Sequence, residues 1–231
     1  MQRSKDFEHP ILGTISISVN HRARRIIMRA VENGIRVTVP PYATYKEIER
    51  ALAIHGDKLK EIQTRKVNII DPQYRKGDGK FRIEIQEYKA DMFMWVHNEG
   101  TATLMCPEDT DYNSKQAWLR KAITNIIYEE AKRRLPQRLE QLAQKHGFKY
   151  SNCSVRNSHS RWGSCSGRGN ISLSIYLVLL TDELIDYVLL HELCHTIEMN
   201  HSERFWALLD KVCGSSSREI RQKLKKQTPD I

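Results

Sequence analysis

Residues 181–213, TDELIDYVLLHELCHTIEMNHSERFWALLDKVC, decide how this chain is read. His191-Glu192-Leu193-Cys194-His195 sets two histidines four residues apart. In a helix that is one turn along the same face, so both imidazoles can reach one metal ion. Glu192 lies about 100° round the helix from His191 and can reach a water beside such a metal without ligating it. A metal that lowers the pKa of water, next to a carboxylate that takes its proton, is the chemistry of metal-assisted hydrolysis. Five residues alone recur by chance in unrelated helices, so the flanks have to carry weight. The preceding turns, Leu184-Ile185-Asp186-Tyr187-Val188-Leu189-Leu190, are apolar almost all round and predict a buried helix opened at Thr181. A His-Glu pair driven into an interior is costly unless something engages it, and a metal would.

A catalytic zinc site takes three protein ligands and keeps a position open. If the helix ends just after His195 and the chain folds back, His201 completes the set. Glu198 and Glu203 are rivals. The same spacing in metzincins has a glycine midway, and here that place is Glu198, so the metzincin pattern is not met. Asn200 can supply a left-handed turn instead. Ser202 reads as the N-cap of a helix over 203–212, whose Phe205, Trp206, Leu208 and Leu209 are apolar and read as core.

Upstream, His159-Ser160-Arg161-Trp162-Gly163-Ser164-Cys165-Ser166 reads as an extended piece just ahead of the histidine helix. An edge strand beside a metal can pair with the backbone of an extended peptide. Gly163 would allow close approach, and Arg161 or His159 could stabilise an oxyanion. The plainer reading is a structural hairpin in which these side chains only pack. A turn at Ser166-Gly167-Arg168-Gly169 leads to a further extended piece, NISLSIYLVLL over 170–180. Cys165 is a remote candidate thiolate ligand. Cys106, Cys153 and Cys213 read as small buried residues, and Cys194 faces away from the two histidines.

Farther out, Leu119, Ala122, Ile123, Ile126, Ile127 and Ala131 recur at helical spacing. Pro136 is expected to break or restart that helix, and the stripe ends at Gly147. Residues 11–40 read as strands, with a hairpin turn at Glu32-Asn33-Gly34. Thr44 with Glu47 predicts a capped helix through Ile48, Leu52 and Leu59. FRIEIQEY and ADMFMWVH return to strand chemistry. No internal repeat is legible. The expected organisation is therefore a β-rich region with one helix over 1–110 and an α+β domain over 111–231.

The chain has 231 residues, 40% of them hydrophobic, which suffices for a core. Its longest apolar run, Ile175 to Leu180, is six residues, against about 18 for a membrane span. The opening MQRSKDFEHP lacks the apolar stretch of a signal peptide. Five cysteines without CxxC spacing argue against a disulfide framework. A cytoplasmic protein is expected. Lys and Arg total 37 against 28 Asp and Glu, a net charge of +9, with clusters at Arg22/Arg24/Arg25, Lys132/Arg133/Arg134 and Arg218 to Lys226. Such an excess favours acidic or phosphate-rich partners, weakly.

RWGSCSGRGNISLSIYLVLL (161–180) followed by DELIDYVLLHELCHTIEMNHSERFW (182–206) resembles the YgjP-like metallopeptidase family. The likeness is dense from about Tyr150 to Cys213. It is looser in the N-terminal half, where RARRIIMRA (22–30) and IRVTVPP (35–41) look like the family's opening strands. It implies a minimal zincin-like catalytic domain, with one zinc ion per chain on His191, His195 and His201 and Glu192 as catalytic base. More distantly the chain resembles the SprT-like proteases, which act on DNA-associated proteins. Cys194 stands where the family often has alanine.

The expectation is thus an α+β zinc peptidase acting on a peptide or protein, with Arg161, His159 and Gly163 as candidate substrate contacts. The alternative is a basic nucleic-acid-associated protein with a structural zinc. Hydrolysis of a non-peptide amide is a third option. The N-terminal region would be a recognition module or a cover over the site.

Overall fold

The computed structural model describes residues 4–9, 12–31, 34–64, 69–214, 216–229 and 231. The chain divides into two compact units, Met1–Asn68 and Ile69–Ile231. Residues 69–110, grouped by their strand chemistry with the N-terminal part, lie with the helical half instead. Their apolar side chains Ile83, Ile85, Leu104 and Cys106 share one core with Ile123 and Ile127 of the following helix.

In the N-terminal unit, β1 (Ser4–His9), β2 (Gly13–Val19), β3 (Ile27–Val31) and β4 (Gly34–Val39) form a sheet in the order β1-β2-β4-β3. β2 and β4 run parallel and the other pairs antiparallel. Alternation along β4 buries Ile35, Val37 and Val39. They share a cluster with Ile48, Leu52 and Leu59 of α1 (Tyr45–Thr64). The capping box is present: the Thr44 N–H donates to Glu47 Oε2 at 2.8 Å and the Glu47 N–H to Thr44 Oγ1 at 3.4 Å. The hairpin between β3 and β4 is formed, while its turn residues 32 and 33 lie outside the described residues.

The second unit opens with β5 (Arg75–Lys76), β6 (Arg82–Tyr88), β7 (Met94–Asn98) and β8 (Thr101–Pro107), ordered β5-β6-β8-β7, again with the second and fourth strands parallel. A long helix follows, α2 (Gln116–His146). Strand order, strand sense and the closing helix therefore repeat those of the first unit, although no repeat is legible in the residues.

Pro136 does not break α2, which runs through it to a left-handed cap at Gly147. A mid-helix proline forfeits one hydrogen bond and crowds the preceding turn, a cost of about 3 kcal/mol. The buried stripe that continues on both sides, Ile127, Ala131, Leu135, Leu139 and Leu142, offsets it.

After α2 come β9 (Asn152–Arg156), β10 (Gly163–Cys165) and β11 (Asn170–Ser174), ordered β10-β11-β9. The extended piece at 160–166 is regular strand only over β10. Its partner NISLSIYLVLL is strand only to Ser174 and then turns into a 3₁₀ helix, Ile175–Leu179. Ser174 Oγ accepts from the Tyr176 N–H, and every residue of that helix is buried. A segment buried on all sides has no alternation to read.

The 3₁₀ helix leads into α3 (Asp182–Cys194), which packs on α2. Arg138 donates to Asp186 at 2.7 Å, and Arg134 pairs with Asp182. α4 (Glu203–Cys213) and α5 (Ser217–Leu224) complete the unit.

Candidate metal centre and active site

α3 is wrapped by apolar neighbours along its length, which carries Glu192 and His195 inside at 5% and 8% exposure. The helix ends at Cys194 with His195 as its cap. The chain then reverses through tight turns: the Thr196 N–H donates to Leu193 O, and those of Ile197 and Glu198 donate to Cys194 O. Asn200 does not adopt the left-handed conformation. Among the described non-glycine residues only Glu99 has positive φ, because the 3₁₀-like turns achieve the reversal without it.

The reversal brings His201 against the first two histidines. Ring centroids are 4.9 Å apart for His191–His195, 5.0 Å for His191–His201 and 4.7 Å for His195–His201. Nε2 of His201 lies 3.1 Å from Nε2 of His191, and one nitrogen from each of the three rings falls within 4.8 Å of the others. Among the described residues, this is the group that could close on one ion. The Glu198 and Glu203 carboxylates and the Cys165 thiol are not part of it. Glu198 takes part through its backbone, since its carbonyl oxygen lies 3.0 Å from His195 Nδ1. With Nδ1 engaged there, Nε2 is left to ligate.

Two aromatic residues that read as core in the sequence prove to frame the histidines. Phe205, fully buried, stacks on His195 at 4.5 Å and 27° and meets His191 and His201 edge-on. Trp206 stacks on His201 at 5.5 Å and 27°, and the Arg221 guanidinium sits 5.0 Å over the Trp206 ring. Ser202 caps α4, its Oγ accepting from the Phe205 N–H, and so sets both aromatics in the first turn after His201. The sequence signal was there: an aromatic pair in the first turn of the helix that Ser202 caps, just after His201.

Burial, with the charges of His195, His201 and Arg221, pushes His191 down to about 3. His201 is lowered by burial, then by His195 and Arg221. Three imidazoles converging on one point are a donor set that fits zinc or a similar divalent ion. Burial pushes Glu192 up to about 7, against the opposing charge of Arg161. Its Oε2 is buried with no hydrogen-bond partner.

Gly163, on β10, faces this carboxyl. A Cβ there would fall 2.6 Å from Glu192 Oε1, closer than atoms can approach, so glycine is what lets strand and carboxylate meet. β10 is also an edge strand of its sheet. Arg161 is exposed and its charge acts on Glu192. His159 is engaged elsewhere, with Nε2 3.0 Å from the Tyr176 hydroxyl and Nδ1 2.9 Å from the Pro229 carbonyl.

Some of the basic residues pair within the chain. Arg133 holds Glu130, Arg134 and Lys80 hold Asp182, and Lys223 holds Glu183. No helix among the described residues is long and apolar enough to cross a membrane.

Among the curated proteins, none matches the chain. Two solved structures are similar to part of it. The metallopeptidase zymogen abylysin of Pyrococcus abyssi is 25% identical, over 40% of this chain and 92% of its own, with a TM-score of 0.37. The metallopeptidase zymogen jannalysin of Methanocaldococcus jannaschii is 22% identical, over 40% of this chain and 94% of its own, with a TM-score of 0.36. A family model described as "YgjP-like, metallopeptidase domain" matches residues 24–227.

Proposed function

Because the chain belongs to the YgjP-like metallopeptidase family, we propose that it hydrolyses peptide bonds with one zinc ion held by His191, His195 and His201 and with Glu192 as general base. The observation that carries this reading is the convergence of three imidazoles beside a buried carboxyl whose Oε2 has no hydrogen-bond partner. When bound, zinc supplies a Lewis acid and lowers the pKa of water.

Glu192 does the proton work. A carboxyl held near 7 both accepts and returns a proton at neutral pH. It takes the proton of the attacking water at one oxygen and hands it to the departing amine nitrogen, so that a carboxylic acid and a free amine leave. The unpaired edge of β10 offers backbone N–H and C=O groups to an extended substrate, fixing the scissile bond in register. Gly163 lets that strand lie against Glu192. The Arg161 guanidinium stabilises negative charge developing on the carbonyl oxygen.

Phe205 and the apolar turns of α3 shield His191 and His195 from water. Glu192→Gln tests this reading. It keeps shape and metal while removing the base, so peptide hydrolysis should fall by about 10²–10⁴-fold with metal content unchanged. Undiminished hydrolysis would refute Glu192 as the base.

A further inference from the structure

The three-stranded sheet has two unlike faces. Cys153, Val155, Ile171, Leu173 and Cys165 turn toward the core. The pairing register sets the opposite face in rows. Ser164 lies across from Ser172, and Ser172 from Ser154, giving three hydroxyls side by side; in the next row Ser174 lies beside Arg156. A groove of about 710 Å³ runs over this face, and Arg156 and Arg161 line it with no aspartate or glutamate among its lining residues. Arg133, Arg134 and Arg138 are all spent on carboxylates. The guanidiniums of Arg156 and Arg161, by contrast, make no ion pair among the described residues, the Arg161 charge reaching Glu192 only at longer range.

The groove adjoins the candidate active site. It is bounded by β10, whose Gly163 touches Glu192 while Ser164 turns into the groove. Arg161 belongs to both, lining the groove and acting on the Glu192 carboxyl. A peptide added to the free edge of β10 turns alternate side chains onto the serine face, because successive residues of a strand point to opposite sides. An apolar side chain there would meet a polar floor. A lysine would meet two like charges. A carboxylate would find hydroxyl donors and two guanidiniums that make no ion pair among the described residues.

We infer that this serine-floored groove is a specificity site for acidic residues, so that the peptidase prefers substrates with aspartate or glutamate at alternate positions beside the scissile bond. The inference rests on the peptidase reading for its placement of substrate along β10. Ser164 and Arg161 lie next to such a strand. Arg156 lies two strands farther in, about 10 Å, and its long side chain serves the outer end of the groove.

The test measures binding separately from hydrolysis. Short extended peptides carrying glutamate, glutamine or lysine at alternate positions are titrated against the whole chain bearing Glu192→Gln, at low and high salt. The glutamate peptide should bind about fivefold more tightly than the glutamine peptide, as expected for two partly exposed ion pairs, and high salt should erase the difference. Arg156→Glu should shrink or reverse that order, and pairing it with Arg161→Ala should abolish the preference. Equal affinity for all three peptides, or an order unmoved by Arg156→Glu, would overturn the inference. Failure of the native chain to cleave any of them would instead overturn the peptidase reading, while the binding order still judged the groove.

Discussion

The indole of Trp206 lies stacked on the imidazole of His201, 5.5 Å between centroids and 27° from parallel, and the Arg221 guanidinium sits 5.0 Å from the same indole. His201 is the histidine outside the helical pair and the most exposed of the three, so its ring has the least help from its own backbone. The stack supplies the missing constraint. Trp206→Ala should therefore weaken zinc affinity about tenfold, since an aromatic pair contributes roughly 0.5–1.5 kcal/mol beyond area burial. Trp206→Phe should recover most of it. Competition with a chromophoric chelator measures both; equal affinity in Trp206→Ala would show that His201 is held by other means.

Gly163→Ala probes the meeting of β10 and Glu192. The added Cβ would lie 2.6 Å from Oε1, so the carboxyl or the strand must shift. Metal content should stay as it is while kcat falls at least tenfold, because the proposed base and the proposed substrate-pairing edge move together. Unchanged kcat would separate Gly163 from the chemistry.

Asp182 ties the start of α3 to Lys80 and to Arg134 of α2. Burial alone would raise its pKa, but those two cations outweigh it and hold it below 3.8. A depressed folded-state pKa stabilises the fold above the unfolded value and loses that contribution as pH falls through the folded one. Asp182→Asn should therefore lower stability at pH 7 by about 0.5–1 kcal/mol, a modest figure because solvent screens this half-exposed group. In acid strong enough to lie below the folded-state pKa the difference should vanish. Denaturation at the two pH values checks it, and a difference that grew in acid would contradict the sign.

Pro136 sits in the middle of α2. Replacement by alanine restores a backbone donor and removes crowding, so Pro136→Ala should stabilise the second unit by about 1–2 kcal/mol, the helix gain less the added freedom of the unfolded chain. A lower melting temperature would mean that the proline ring contributes packing that outweighs its cost.

The parts of the site legible in the sequence are those fixed by local geometry. His191 and His195 share a face because a helix repeats every 3.6 residues, and the Ser202 and Thr44 caps announce themselves by residue type. The place of His201 depends on the helix ending near His195 and the chain folding back, a condition that the sequence poses and that the helix end at Cys194 meets. What was not legible depends on partners distant in the chain. β8 is central to its sheet, yet TATLMCP carries no more strand signal than its neighbours until β6 and β7 flank it. The repeated β1-β2-β4-β3 and β5-β6-β8-β7 topology is invisible because sheet order belongs to pairing, and different residues support the same pairing. The core identity of Phe205 and Trp206 was legible. Their contact with the histidines needed the reversal after His195 to be seen.

The most direct test of the three-histidine centre is the zinc content of the purified chain after reconstitution, compared with His201→Ala and Glu198→Ala. We expect about one zinc per chain in the native protein, the same in Glu198→Ala, whose backbone carbonyl still holds His195, and little in His201→Ala. Full zinc retention in His201→Ala with loss in Glu198→Ala would place the third ligand on the glutamate and contradict the account.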